Sequence, residues 1–165
     1  SEIMNSFAEK YKKSGLEMMK KKLGLIGDDV NDQNLILDLL TWMHKNKADY
    51  TNTFCNLMNK LSIKNEIFND QDFLIWKKRW EKRVKFNDNA FSKSHEIMRN
   101  ANPLLIPRNH IVEKILSDAE DKIELDGLKE FFEVMKDPYK MFPKISKFQS
   151  TPDTKKENYV TYCGT

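Results

Sequence analysis

The run Asp70-Gln71-Asp72-Phe73-Leu74-Ile75-Trp76-Lys77-Lys78-Arg79-Trp80-Glu81-Lys82-Arg83-Val84 decides the fold class. Phe73, Trp76, Trp80 and Val84 recur every three to four residues, the spacing that aligns side chains on one face of an α-helix. Asp70 stands ahead of them as a capping residue. Aromatics interleaved with Lys and Arg can also stack nucleobases while holding phosphates. The helical spacing favours the other reading, a core stripe of aromatics with the bases on the wet face.

The same period extends in both directions. A first helix is expected from about Glu2 to Lys22, with Met4, Phe7, Tyr11, Met18 and Met19 on one stripe. Its last turn holds Lys20, Lys21 and Lys22, which complement the helix dipole as a solvated end, and Gly24 suits a left-handed stop. A second helix starts after Asn31 or Asp32 and carries Leu35, Ile36, Leu39, Leu40 and Met43. A third starts near Asp49 and carries Tyr50, Phe54, Leu57, Met58 and Leu61. After the Trp-rich fourth helix, three more are expected at about 88–100, 107–119 and 126–137, the last stopped by Pro138. All five prolines lie at or after position 103, and glycine occurs only five times, so little interrupts helix over the first 102 residues. No run alternates as strands do, and no fixed period marks a solenoid. The expectation is an all-α, irregular bundle of about seven helices. Residues 1–138 form its helical domain, and 139–165 form an extended tail that packs loosely, since Pro143, Pro152 and Ser150-Thr151-Pro152-Asp153 break helix.

The 165 residues suffice for one domain with its own core. With 28 basic against 25 acidic side chains the net charge is +3, too balanced to imply nucleic acid by itself. No stretch approaches the roughly 18 apolar residues of a membrane span. Ser1-Glu2-Ile3-Met4-Asn5 lacks the basic start and apolar run of a secretory signal. Two cysteines 108 positions apart exclude a disulfide scaffold and a cysteine-rich zinc site.

Motifs for chemistry are sparse. Asp28-Asp29-Val30-Asn31-Asp32-Gln33 lacks the central glycine and closing glutamate of a calcium loop and reads as a helix entry. His44, His95 and His110 have no metal-ligand spacing with one another or with Cys55. There is no glycine-rich phosphate loop, nucleophile elbow or zincin helix. Arg108-Asn109-His110 is denser. Pro103 and Pro107 bracket a short extended link that presents these three side chains at a helix start, where Asn109 could cap and Arg108 could hold a carboxylate bidentately. They form either a buried structural corner or a contact with a partner region outside the chain. Cys163, on the terminal stretch Tyr162-Cys163-Gly164-Thr165, is either an inert tail thiol or one that swings to a partner cysteine.

Several stretches, in order, resemble the C-terminal third of the selenoprotein O family: Phe7-Ala8-Glu9-Lys10-Tyr11, Leu39-Leu40-Thr41-Trp42-Met43, Ala48-Asp49-Tyr50-Thr51-Asn52-Thr53-Phe54 and the Trp76–Arg83 helix. Met98-Arg99-Asn100-Ala101-Asn102-Pro103, Arg108-Asn109-His110, Asp137-Pro138-Tyr139 and Thr161-Tyr162-Cys163-Gly164-Thr165 complete the series. The Asn-Pro…Arg-Asn-His stretch and the Cys-Gly-Thr end are its specific parts. The family comprises pseudokinase-fold protein adenylyltransferases, which move AMP from ATP to protein hydroxyls with Mg²⁺ or Mn²⁺. The resemblance implies that ATP and metal are held by a kinase-like region upstream of this chain. It assigns no catalytic, cofactor-binding or metal-binding residue here. It implies a fragment that is inactive alone, supports the kinase-like lobe as its partner, and belongs to an enzyme with protein substrates, without nucleic acid or membrane. The implied compartment is the bacterial cytoplasm, or the mitochondrion in a eukaryote. It implies a redox role for Cys163 through a disulfide to the kinase-like region; the family's second terminal cysteine or selenocysteine is absent here, so a local two-thiol motif is not available. The competing readings are a freestanding helical interaction module and, through the Lys/Arg helix, a nucleic-acid binder.

Overall fold

A computed structural model describes residues 2–84, 88–122 and 125–152, with side chains described from residue 9 onward except at 88–91 and 121–122. Within these residues the chain forms eight α-helices and no strand: α1 (Glu2–Leu23), α2 (Asp32–Asn46), α3 (Tyr50–Leu57), α4 (Gln71–Val84), α5 (Asp88–Ala101), α6 (Asn109–Lys122), α7 (Asp126–Met135) and α8 (Ser146–Gln149). A 3₁₀ turn, Glu66–Asn69, precedes α4. The all-α bundle expected from the periodicity is what is observed. The short α8 and the 3₁₀ turn carry too few residues to show a period, and both fall outside the seven helices expected.

The aromatic stripe of α4 is core. Phe73, Trp76 and Trp80 are almost fully buried, and each indole donates its Nε1–H to a main-chain carbonyl, Trp76 to Leu35 at 2.8 Å and Trp80 to Leu23 at 2.8 Å. Trp42 joins them by ring contact with Phe73 at 4.5 Å between centroids and donates to Asp70 at 2.7 Å. Asp70 also accepts the Phe73 N–H at 3.1 Å, the cap the sequence proposes. On the outer face, Arg79 pairs with Asp38, while Arg83 grips Asp32 and the Ile26 carbonyl. The rings that stacking would need are therefore enclosed, and the two arginines are engaged within the fold.

α1 departs from its expected pattern. Met19 and Leu23 are buried, but Tyr11 is 73% and Met18 49% exposed. The expected stripe divides into a buried face and an open one. Met4 and Phe7 lie outside the described side chains. The lysine cluster is not simply a solvated end either. Lys20 is buried beside Asp28. Lys22 is half-buried, donates to the Ala101 carbonyl at 3.1 Å, and sits over the rings of Tyr50 and Phe54. Asn102 returns the contact by donating to the Lys22 carbonyl at 2.9 Å, so α1 and α5 satisfy each other's terminal carbonyls.

Within the segment after Pro138, expected to be extended and loose, residues 145–149 are anchored. Ile145, Phe148 and Gln149 are buried, and Phe148 packs its ring 5.7 Å from that of Phe131. Two apolar side chains and one saturated amide hold what propensity alone would release. Residues 153–165, including Cys163, lie outside the described residues.

Candidate functional site

The polar centre of the molecule is built on α3. This helix has only eight residues, yet Thr51, Asn52, Thr53, Phe54, Cys55 and Leu57 are all buried. A helix enclosed on its polar side needs a partner for each polar group. Asp49 supplies the first by accepting the Asn52 N–H at 2.8 Å as N-cap. The Thr53 hydroxyl donates to the Asp49 carbonyl at 2.7 Å.

Arg108 reaches this carboxylate from the Pro-bracketed link. Its two terminal nitrogens donate to Asp49 Oδ2 at 2.6 Å and Oδ1 at 2.8 Å, and one also donates to Asn52 Oδ1 at 3.2 Å. This is the bidentate grip expected of Arg108. Burial pushes the Asp49 carboxyl up, but the Arg108 hydrogen bonds, the Asn52 N–H and the guanidinium charge outweigh it and leave the group below its ordinary value. Asn52 passes the network on, donating to the Gln149 carbonyl at 2.9 Å. The fully buried Gln149 side chain accepts from Ser62 N–H at 2.8 Å and donates to the carbonyls of Leu104 at 2.9 Å and Lys60 at 3.2 Å. Four separate stretches thus meet at one set of hydrogen bonds.

The three residues of the Arg-Asn-His stretch differ in burial. Arg108 points inward. Asn109 is exposed and is the first residue of α6. Asn109 is not the cap: the Arg108 carbonyl accepts from Ile111 at 3.0 Å and Val112 at 2.9 Å, placing Arg108 itself at that position. His110 is half-buried, with Nε2 enclosed and unpartnered, as is Arg108 Nε. Together with Ile106 and Pro152 these residues line a cavity of about 300 Å³. Sequence reasoning identified Arg108 but not Asp49, Asn52 and Gln149 as its network. The available signal was the pairing of a helix-start Asp-Tyr-Thr-Asn with an isolated arginine.

Cys55 lies beside this network. It is fully buried, its thiol points at the carbonyls of Pro103 and Leu104, and burial pushes its pKa up to about 12. It is a packed small hydrophobe without nucleophilic character. Among the described residues, no group of three His, Cys, Asp or Glu side chains could hold a metal. The nearest acidic cluster, Asp29 and Asp32, is engaged by Asn31 and Arg83. No helix among the described residues is long and apolar enough to cross a membrane.

The relatives of the chain give this architecture a context. A family model described as protein adenylyltransferase SelO matches residues 1–136. The chain is similar over its whole length to a protein nucleotidyltransferase YdiU of Pelagibacter ubique, at 39% identity over 100% of the chain and 34% of that protein. A protein of the same name from Nitrosococcus oceani is 38% identical over 99% of the chain and 33% of its own length. One from Clostridium perfringens is 37% identical over 98% and 33%. The chain spans about a third of the length of these curated relatives. With its match to the family model extending over α1 to α7, the chain belongs to the SelO protein adenylyltransferase family.

Proposed function

We propose that this chain is the C-terminal helical region of a protein adenylyltransferase, an enzyme that transfers AMP from ATP to Ser, Thr or Tyr hydroxyls of proteins. In this reading the region buttresses a kinase-like lobe that binds ATP and Mg²⁺ or Mn²⁺, and Cys163 supplies a redox-responsive thiol to that lobe. The carrying observation is the end-to-end match of the chain to one third of proteins named nucleotidyltransferases. It is supported by a buried polar network, Arg108–Asp49–Asn52–Gln149, whose hydrogen bonds run between internal partners and leave only Arg108 Nε over. Such a network fixes a scaffold and leaves the reacting groups to another region.

The test compares two proteins. The 165-residue chain, checked for helical content, is incubated with α-labelled ATP and either metal, beside the longer protein that contains it. The expected result is AMP on protein hydroxyls with the longer protein and no stoichiometric labelling by the chain. Labelling by the chain alone, or no transfer by the longer protein, overturns the reading.

A further inference from the structure

α1 carries two apolar faces, and the bundle uses one. Met19 and Leu23 turn into the core, while Tyr11 at 73% exposure and Met18 at 49% lie on a face rotated by about a third of a turn. Positions 11 and 18 are seven apart, so a helix brings them back to nearly the same side. Ser14 and Lys21 border them, and Lys13, Ser14, Glu17, Met18 and Lys21 open with Ala101 of α5 onto a groove of about 520 Å³. From Glu9 to Ser14 every residue of α1 is exposed, so this stretch stands clear of the described bundle. Isolated helices of this length are marginal in water and take their stability from packing an apolar face. An exposed helical stretch with Tyr11 and Met18 uncovered on one side therefore calls for a second body.

We propose that the Tyr11–Met18 face of α1 docks the part of the parent polypeptide lying outside this chain. This rests on the reading that the chain is one region of a longer adenylyltransferase. The occupant follows from length. The relatives match this chain over its whole extent yet carry about twice as much further sequence, and the family match includes α1 from its first residue. A second copy of the chain would leave that larger body without a seat. The lysines at 10, 13 and 21 beside the row favour an apolar surface with an acidic rim.

The test is thiol labelling in a Cys163→Ser background, where the buried Cys55 with its raised pKa stays silent. Tyr11→Cys and Met18→Cys are compared with Ile75→Cys, an exposed apolar control on α4 (59% exposed). In the longer protein, maleimide should react at 11 and 18 at least tenfold more slowly than at 75. In the 165-residue chain all three should react at similar rates. Fast labelling at 11 and 18 in the longer protein overturns the proposal. So does protection already present in the 165-residue chain, which would place its own tail on the face, and so does protection that disappears on dilution to monomer, which would place a second copy there. If the 165-residue chain does not fold, the comparison within the longer protein decides. AMP transfer measured on the same sample reports separately on the function, so docking can stand where that activity is absent.

Discussion

Asp49 does two jobs with one carboxylate, capping α3 and receiving Arg108, and the consequences of substitution follow from its burial. Arg108→Ala leaves a mostly enclosed carboxylate with only its cap. Breaking a buried pair in this way costs about 3–5 kcal/mol, so the urea midpoint of the chain should fall sharply. Arg108→Lys should recover little, because a point charge cannot span both oxygens. The pH dependence has a fixed sign. The unfolded carboxyl titrates near its ordinary value of about 3.9, and the folded one titrates below it. In that interval the unfolded chain binds a proton that the folded chain does not, so the stabilisation is present above the unfolded pKa and lost as pH falls through the folded one. Urea midpoints between pH 7 and pH 3 should show this loss, and Asp49→Asn should flatten part of it. An unchanged acid slope in Asp49→Asn would show that other carboxylates govern it. That Arg108 could hold a carboxylate was legible from a lone arginine directly after the Pro103–Pro107 link. Which carboxylate was not, because the partner lies 59 positions away and only the folded path of the chain brings it close.

Helix ends repeat one device at the scale of elements. α1, α2 and α3 each stop on a left-handed residue, Gly24, Lys47 and Asn59, whose φ values are 67°, 50° and 54°. After each, a main-chain N–H reaches back to close the turn: Leu25 to Lys20, Ala48 to Met43 and Lys60 to Cys55. Gly24 was readable as a stop because glycine favours this conformation. The other two were not, since lysine and asparagine give weaker signals and the next element imposes the bend. Gly24 is also crowded: a Cβ there would meet the Ser94 carbonyl oxygen at 2.8 Å and Met98 Cγ at 2.9 Å. Gly27, with φ 71°, has nothing within 4 Å. Gly27→Ala should therefore cost only the roughly 1–2 kcal/mol of a left-handed side chain. Gly24→Ala should add about 1–3 kcal/mol of overpacking. Equal denaturation midpoints for the two variants would contradict the close approach of α1 and α5. Lys47→Gly removes the left-handed penalty at little cost in contacts and should raise stability by up to about 1 kcal/mol, seen as a higher midpoint at constant slope.

Across the whole molecule, what periodicity could not reveal is how faces are shared. It identified α1 as amphipathic, yet Tyr11 and Met18 stay open while Lys20 is buried, because α1 meets α2 and α5 through the side that carries Met19 and Leu23. It read residues 139–165 as one loose tail, yet Gln149 ties residues 145–149 to the α3–α4 loop and the Pro-bracketed link through bonds that no local pattern encodes. That anchor sets the geometry of any disulfide from Cys163. Cys163 lies fourteen residue steps beyond Gln149, and a chain spans at most about 3.3–3.6 Å per residue, so the thiol can reach no farther than about 50 Å from the anchor. Cys55 is fully buried and its thiol is protonated at neutral pH, which removes it as a partner while the core is intact. In the oxidised longer protein, non-reducing peptide mapping should find Cys163 bridged to a cysteine outside this chain and within that radius. Cys163→Ser should abolish the bridge and Cys55→Ser should leave it. A Cys55–Cys163 bridge under native conditions, or a bridge that omits Cys163, would return the terminal thiol to an inert tail. Gln149→Ala tests the anchor separately. It leaves the Ser62 N–H and two carbonyls without their partners, at a cost on the order of 2–3 kcal/mol. It should also raise amide exchange at 146–149 well above that of α3, because the segment carrying Cys163 would then hold to the bundle mainly through Ile145 and Phe148.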